Sequence, residues 1–124
     1  MTTERLSPSE RATIQELLDA DRKQTTARVA MLRRDLDEIA ASTTLTGADD
    51  EHDPEGSSTA FERAHAQSLL DQALNHLAEL DMAVERLRDG DYGICVKCGR
   101  RIPIERLMIL PAARTCVTCA SRRR

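Results

Sequence analysis

Large aromatic side chains are nearly absent from this sequence of 124 residues, which has no Trp, one Tyr (Tyr92) and one Phe (Phe61). This leaves little bulky apolar material for a sheet-based core. Leu and Ala dominate instead, and together with abundant Glu and Arg they favour long, mostly exposed helices. The length allows one domain, or one domain with a small appendage.

Long apolar runs are also missing. The sequence has no stretch of about 18 apolar residues that could span a bilayer, and its first ten residues, MTTERLSPSE, do not resemble a signal peptide. We therefore expect a cytoplasmic protein with no membrane partner. Four cysteines in a reducing compartment are metal ligands or redox groups more often than they are disulfides.

Charge is distributed unevenly along the chain, although the net charge is only −3. Residues 1–91 contain 20 acidic and 10 basic side chains, whereas residues 92–124 contain one acidic and eight basic side chains. Such asymmetry indicates two surfaces with different partners, or one partner that is contacted in two regions.

The first long helix is predicted over residues 8–41, approximately. Ser7 can cap its start, Pro8 suits the first helical position, and Glu10 can return a hydrogen bond to the cap amide. The apolar spacing is typical of a seam that packs on another helix, with Val29, Leu32, Leu36 and Ile39. The earlier stripe of Ile14, Leu17 and Leu18 is followed by the polar Asp21 and Thr25, so we expect the later half to pack better.

The second long helix is predicted over about 57–89. It can begin either at Asp53 followed by Pro54 or at Thr59 with Glu62 three residues later, and the sequence does not choose between these starts. Gly90 is suited to a left-handed C-terminal stop. Two sets of apolar residues repeat every seven positions and form an a/d seam: Leu70, Leu77 and Val84, and Ala73, Leu80 and Leu87.

Neither long helix can bury its seam alone. The simplest arrangement is an antiparallel coiled-coil hairpin over residues 1–91, with the connection at its tip, although a homodimer that buries the seams between chains remains open. The connection contains the acidic segment 47–56, GADDEHDPEG. An acidic turn of this kind is most often a solvated loop.

Two cysteine pairs lie in residues 92–124. Cys95-x-x-Cys98 and Cys116-x-x-Cys119 are separated by 17 residues, which is within the spacing of a structural zinc site. Gly99 permits a tight turn after the first pair. We predict a four-cysteine zinc-finger module with one structural Zn²⁺, which also supplies folding energy, and a small apolar core made of Ile102, Ile104, Leu107, Ile109 and Leu110.

Redox chemistry at the cysteine pairs is the alternative. It usually requires one reactive pair beside a βαβ scaffold, and this chain has two pairs and no such pattern. A closed shell of four thiolates leaves no open metal position, and no nucleophile–base pairing or phosphate-binding glycine loop is present. We therefore expect a protein that is not an enzyme.

The chain resembles the DksA/TraR family of bacterial transcription regulators. The resemblance depends on the run YGICVKCG at 92–99, the stretch IPIERL at 102–107, and Pro111-Ala112-Ala113 leading into the second cysteine pair, together with two long helices around an acidic turn. It implies a coiled-coil rod on a zinc-bearing base. It also implies direct binding to RNA polymerase without DNA recognition, with the tip inserted through the secondary channel.

In that family the tip carries two aspartates in a D-x-x-D-x-A pattern. Asp50 and Asp53 match the two aspartates, Glu51 lies between them, and Glu55 occupies the position of the Ala. The family's response to guanosine tetraphosphate requires basic side chains. Between Arg63 and Arg86 the predicted second helix has none, so we do not expect this nucleotide to be a strong co-regulator.

Two classes of function follow from these features. The first is a transcription regulator, expected to be monomeric, that binds RNA polymerase through the coiled coil and its acidic tip. The second is a zinc-ribbon nucleic-acid-binding protein whose basic residues contact phosphates, with Arg100, Arg101, Arg106 and Arg114 as candidates. The acidic body and the lack of aromatic platforms argue against the second class and against direct DNA binding.

Overall fold

The computed structural model describes residues 6–45 and 54–122, without the side chains of 43–45 and 54–57. These residues form four helices: α1 (Pro8–Leu45), α2 (Pro54–Asp89), α3 (Ile104–Ile109) and α4 (Val117–Ser121). The same residues contain no β-strand, only an isolated antiparallel bridge between Ile94 and Arg101. The predicted fold, a long antiparallel hairpin of two helices followed by a small four-cysteine module, is confirmed. Among the described residues, no helix has the length and hydropathy of a membrane span.

The start of α1 has the predicted capping box. The amide of Glu10 donates to Ser7 Oγ at 3.1 Å, and the amide of Ser7 donates to Glu10 Oε1 at 3.0 Å. Two backbone donors that the helix cannot satisfy are thereby paired. Pro8 is the first helical residue, a position where its missing N–H costs nothing.

The structure decides between the two possible starts of α2 that the sequence left open. The helix begins at Pro54, the earlier of its two possible starts, and continues to Asp89. Gly90 follows with a φ of 93°, and its amide donates to the carbonyl of Arg86 at 2.9 Å. The left-handed stop predicted at Gly90 is therefore confirmed, since a residue with a side chain rarely adopts this conformation.

The chain forms two compact units, and the first comprises residues 1–23 and 78–124. Its core joins the first turns of α1, the last turns of α2 and the residues that follow α2. The buried members are Ile14, Leu18, Leu80, Ala83, Leu87, Tyr92, Cys95, Ile102 and Leu107. On the surface of this unit, Arg22 Nε lies 2.6 Å from Asp81 Oδ1 across the two helices. Because both side chains are about half exposed, this ion pair contributes little to stability.

The second compact unit is Gln24–Leu77, where the two helices also pack in antiparallel orientation. Val29 and Leu32 of α1 are buried together with Leu70 and Ala73 of α2. Leu36, Leu69 and Leu74 are half-buried at the edge of this cluster. The seam residues predicted from the heptad pattern therefore pack against one another within one chain.

Two expectations about the core are wrong. Ile14 and Leu18, on the stripe expected to pack less well, have no exposed surface, whereas Leu36 and Ile39 are only half-buried. The reason is that the residues after α2 cover the first stripe, which no helix periodicity reveals.

In the zinc module, Ile102 and Leu107 are buried as expected, but Ile109 is 77% exposed and Leu110 is 49% exposed. Ile109 and Leu110 are not part of the core, because Ile102 and Leu107 pack with buried residues of α1 and α2. The division of the chain into 1–91 and 92–124 stays a prediction.

Candidate metal centre

The first cysteine pair lies in a tight turn that is closed by backbone hydrogen bonds. The amide of Cys95 donates to the carbonyl of Arg100 at 2.8 Å, and the amide of Gly99 donates to the carbonyl of Cys95 at 2.9 Å. Gly99 has a φ of 76°, which confirms its predicted role in the turn. This turn brings the Cys95 and Cys98 side chains to the same side of the backbone.

The second pair lies at the start of α4. Cys116 occupies the N-cap position, and its Sγ accepts a hydrogen bond of 3.4 Å from the amide of Cys119. The first helical turn therefore presents both sulfurs together. The amide of Val96 donates to the carbonyl of Arg114 at 2.9 Å and connects the two cysteine-bearing segments.

The four sulfurs converge on one point. All four Sγ atoms lie within 4.8 Å of one another, and Cys98 Sγ is 3.8 Å from Cys116 Sγ. In a tetrahedron with Zn–S bonds of about 2.3 Å, neighbouring sulfurs are separated by about 3.8 Å. Cys95 is buried and Cys98 is exposed, so one edge of the centre faces solvent. Within the described ranges, no other group of three or more His, Cys, Asp or Glu side chains converges in this way.

The ionisation of these thiols also fits a metal centre. Burial favours the neutral Cys95 thiol and by itself raises its pKa. Hydrogen bonds from the backbone of Cys98, Cys116 and Lys97 outweigh this effect of burial and lower the pKa of Cys95 to about 6. The neighbouring Cys116 thiol, with burial as the second cause, raises the pKa of Cys119 to about 12. Ionising one ligand thus opposes ionising another, and a bound divalent cation removes that conflict. The donor set fits one structural Zn²⁺, with four thiolates that close the coordination shell.

Three contacts that the sequence did not reveal hold the centre on the helices. Nη2 of Arg86, in the last turn of α2, donates to the carbonyl of Ile94 at 2.6 Å. The Tyr92 hydroxyl donates to the carbonyl of Pro111 at 2.6 Å. Arg106 Nε donates to the carbonyl of Thr115, directly before Cys116, at 3.0 Å. A charged or phenolic donor near a cysteine pair gives no sequence signal when its acceptors are backbone carbonyls.

The candidate basic contacts have different surroundings. Arg100 and Arg114 are exposed, and Arg101 is half-buried. Arg106 is also half-buried, and its contact with Thr115 supports the second cysteine pair. Arg100 and Arg114 are therefore the better candidates for contact with a partner, and that role stays a prediction.

Most of the candidate tip residues precede α2 in the sequence. Asp50, Glu51 and Asp53 lie outside the described residues. Glu55 belongs to the first turn of α2, but its side chain is not among those described. Their role as a partner-binding tip stays a prediction.

Comparisons with known proteins agree with this architecture. Residues 90–124 match the family model described as the prokaryotic dksA/traR C4-type zinc finger. The fold is similar to that of the transcription factor DksA2 from Pseudomonas aeruginosa, with a TM-score of 0.75 and 25% sequence identity, over 94% of this chain and 84% of that chain.

Curated relatives are similar over part of their length. An uncharacterized protein of Aquifex aeolicus is 42% identical over 60 residues, which are 45% of this chain and 41% of that protein. General stress protein 16O of Bacillus subtilis is 33% identical over 73 residues, which are 59% of this chain and 45% of that protein. The chain thus spans less than half the length of each of these relatives. Residues 90–124 thus match a C4-type zinc finger of the DksA/TraR type, and the whole fold is similar to that of a DksA transcription factor.

Proposed function

We propose that the chain is a transcription regulator that binds RNA polymerase directly and acts through its acidic segment 47–56, placed in the secondary channel of the polymerase. The observation that carries this proposal is the fold match to the transcription factor DksA2 over 94% of the chain. That match includes both the helical hairpin and the four-cysteine module. At the coarser level, the fold and the zinc finger support membership of the DksA/TraR type of transcription factor.

The position of the acidic residues supports this proposal. α1 ends at Leu45 and α2 begins at Pro54, so Asp50, Glu51 and Asp53 belong to the connection between the two long helices. The N-terminal end of α2, with its positive dipole, follows Asp53 directly. Concentrated carboxylates at such a connection form a compact anion, which suits Lys and Arg side chains or a metal-bearing centre of the polymerase.

The basic residues after α2 support a second area of contact. Arg100 and Arg114 are exposed, and a surface of this charge is complementary to an acidic outer rim on the polymerase. In this proposal the protein regulates in the cytoplasm as a monomer, catalyses no reaction of its own, does not recognise DNA, and does not depend strongly on guanosine tetraphosphate.

A binding experiment tests the choice of partner. The zinc-loaded protein is presented in parallel to purified core RNA polymerase without DNA and to duplex DNA without polymerase. We expect salt-sensitive binding to the polymerase and no specific binding to the duplex. Binding to the duplex alone would instead favour a zinc-ribbon protein that contacts nucleic acid.

A pair of variants tests the acidic segment. Asp50→Asn with Asp53→Asn removes two charges from the segment, and Glu16→Gln with Glu85→Gln removes two exposed charges from the helices. We expect the first variant to bind polymerase but to lose its effect on transcription in a reconstituted assay, and the second to behave like the parent. If both variants retain full regulation, the proposed role of segment 47–56 is wrong.

A further inference from the structure

A groove of about 410 Å³ opens within the Gln24–Leu77 unit, between α1 and α2. Apolar side chains from both helices contribute to its wall: Leu32, Ile39, Ala66 and Leu69. Leu32 and Ala66 are buried, whereas Ile39 and Leu69 are half-buried and so present apolar surface in the groove.

The heptad pattern of α2 explains why the groove exists. Continued toward the N-terminus, the Leu77 and Leu70 series reaches Arg63, which is exposed, and the Leu80 and Ala73 series reaches Ala66. Neither residue supplies a large apolar side chain to the seam. Ile39 on α1 therefore lacks the cover that Leu70 gives to the earlier part of the seam, and the seam opens into a groove.

Three carboxylates line the same groove: Asp35 and Glu38 from α1 and Glu62 from α2. No Lys or Arg side chain is among the lining residues. Within the part of the chain that the structure describes, these three carboxylates form no ion pair with a cationic side chain. The groove therefore combines apolar surface with three carboxylates outside any ion pair, and His65 also lines it.

A single metal ion does not fit this arrangement. In residues 6–45 and 54–122, only the four cysteines converge closely enough to hold one ion. Asp35, Glu38 and Glu62 therefore do not converge on one point. Carboxylates that are spread along an apolar groove match several separate cationic groups carried on one chain.

We propose that this groove binds a short amphipathic segment of a partner protein, with one or two apolar side chains flanked by Lys or Arg. The apolar side chains cover Ile39 and Leu69, and the cationic side chains pair with Asp35, Glu38 and Glu62. This is helix-in-groove recognition, in which apolar contact supplies affinity and the charged rim selects the partner. The inference concerns a surface separate from the acidic segment 47–56, and it does not depend on whether the partner is RNA polymerase.

Two designed peptides and two triple variants of the full, zinc-loaded chain test the proposal. One peptide is an amphipathic helix with a Leu stripe flanked by Lys, and the other has Glu in place of every Lys. The groove variant carries Asp35→Asn, Glu38→Gln and Glu62→Gln. The control variant carries the same kinds of change at the exposed residues Asp19, Glu16 and Glu85, so both variants have the same net charge.

We expect the Lys peptide to bind the parent and the control variant with similar affinity, as measured by fluorescence anisotropy. The groove variant should bind it roughly tenfold more weakly, since three rim ion pairs of a fraction of a kcal/mol each add to about this factor. The Glu peptide should not bind. In nuclear magnetic resonance spectra of the unaltered chain, the Lys peptide should shift amide signals of residues 32–42 and 59–69.

Three results would overturn the proposal. Equal weakening in both triple variants would show that the peptide responds only to net charge. Peptide-induced shifts outside the two groove segments, in the unaltered chain, would place the binding elsewhere even if the variants failed to fold. Concentration-dependent dimerisation of the parent that the groove variant abolishes would assign the groove to a second copy of this chain. If the chain does not bind RNA polymerase but the Lys peptide binds as expected, only the proposed function is refuted.

Discussion

Arg86 Nη2 lies 2.6 Å from the carbonyl oxygen of Ile94 and 3.3 Å from that of Asp91. The first contact is partly buried. One guanidinium in the last turn of α2 therefore holds both Asp91, two residues after the helix, and Ile94, the residue that precedes Cys95. The first zinc-binding turn is thus oriented by a side chain of the helix as well as by its own backbone.

Replacement of Arg86 should destabilise the protein. Arg86→Ala leaves a partly buried carbonyl unpaired, and we expect a loss of about 1.5–3 kcal/mol in the free energy of unfolding, as for hydrogen bonds to charged groups. Urea denaturation of the zinc-loaded protein measures this change. Arg88→Ala is the matched control, because Arg88 is exposed in the same turn and should change stability by less than about 0.5 kcal/mol. Equal effects of the two variants would contradict the role given to Arg86.

The two halves of the helical seam should respond differently to truncation. Leu18→Ala removes a side chain with no exposed surface and should cost about 2–5 kcal/mol. Leu36→Ala removes the same atoms from a half-buried position, so its cost should be about half as large. Thermal unfolding of both variants makes the comparison. A larger effect at Leu36 would contradict the observed burial.

Tyr92 should titrate abnormally. Burial raises its pKa to about 12, although nearby Arg86 opposes the shift. Because Tyr92 is the single tyrosine and no Trp is present, phenolate absorbance reports this group directly. The folded protein should ionise near pH 12 and the unfolded chain near pH 10.

A dependence of stability on pH follows from that shift. The contribution of Tyr92 is fully present below pH 10, the unfolded value, and is lost as pH rises through 12. Tyr92→Phe should therefore lose stability less steeply than the parent between pH 10 and pH 12. It should also be less stable at neutral pH by about 1 kcal/mol, because the Pro111 carbonyl loses its hydrogen bond. A parent protein that ionises near pH 10 while folded would contradict the observed burial.

Removal of the metal should unfold the cysteine-bearing segments. Mass spectrometry under native conditions should find one zinc per chain, and chelation should abolish the ordered amide signals of residues 92–122. Cys98→Ser should weaken zinc binding, whereas Thr118→Ser, an exposed change inside the second pair, should not. A protein that keeps all its ordered signals without metal would contradict the structural role of zinc.

Features that depend on neighbouring residues could be predicted from the sequence. The capping box requires only Ser7 and Glu10, three positions apart, and each cysteine pair requires only a four-residue turn. The left-handed stop at Gly90 is equally local. The physical determinants of these features lie within one turn of the chain.

Features that depend on distant packing could not be predicted. The exposure of Ile109 and the complete burial of Leu18 both result from the residues after α2 packing on the helices, which no periodicity encodes. The contact of Arg106 with Thr115 was also missed, because any exposed Arg of this module looks equally available in the sequence. A partial signal existed for Leu18, since the α2 heptads continue through Leu80 and Leu87 and require a partner on α1.

The shared core of the first compact unit links metal binding to the stability of the helix ends. Ile14 and Leu18 near the beginning of α1, and Leu80 and Leu87 near the end of α2, pack with Ile102 and Leu107 of the zinc module. The free energy of metal binding is therefore a term in the stability of both helices as well as of the finger. Loss of the ion should therefore loosen the packed ends of α1 and α2 together with the cysteine-bearing turns.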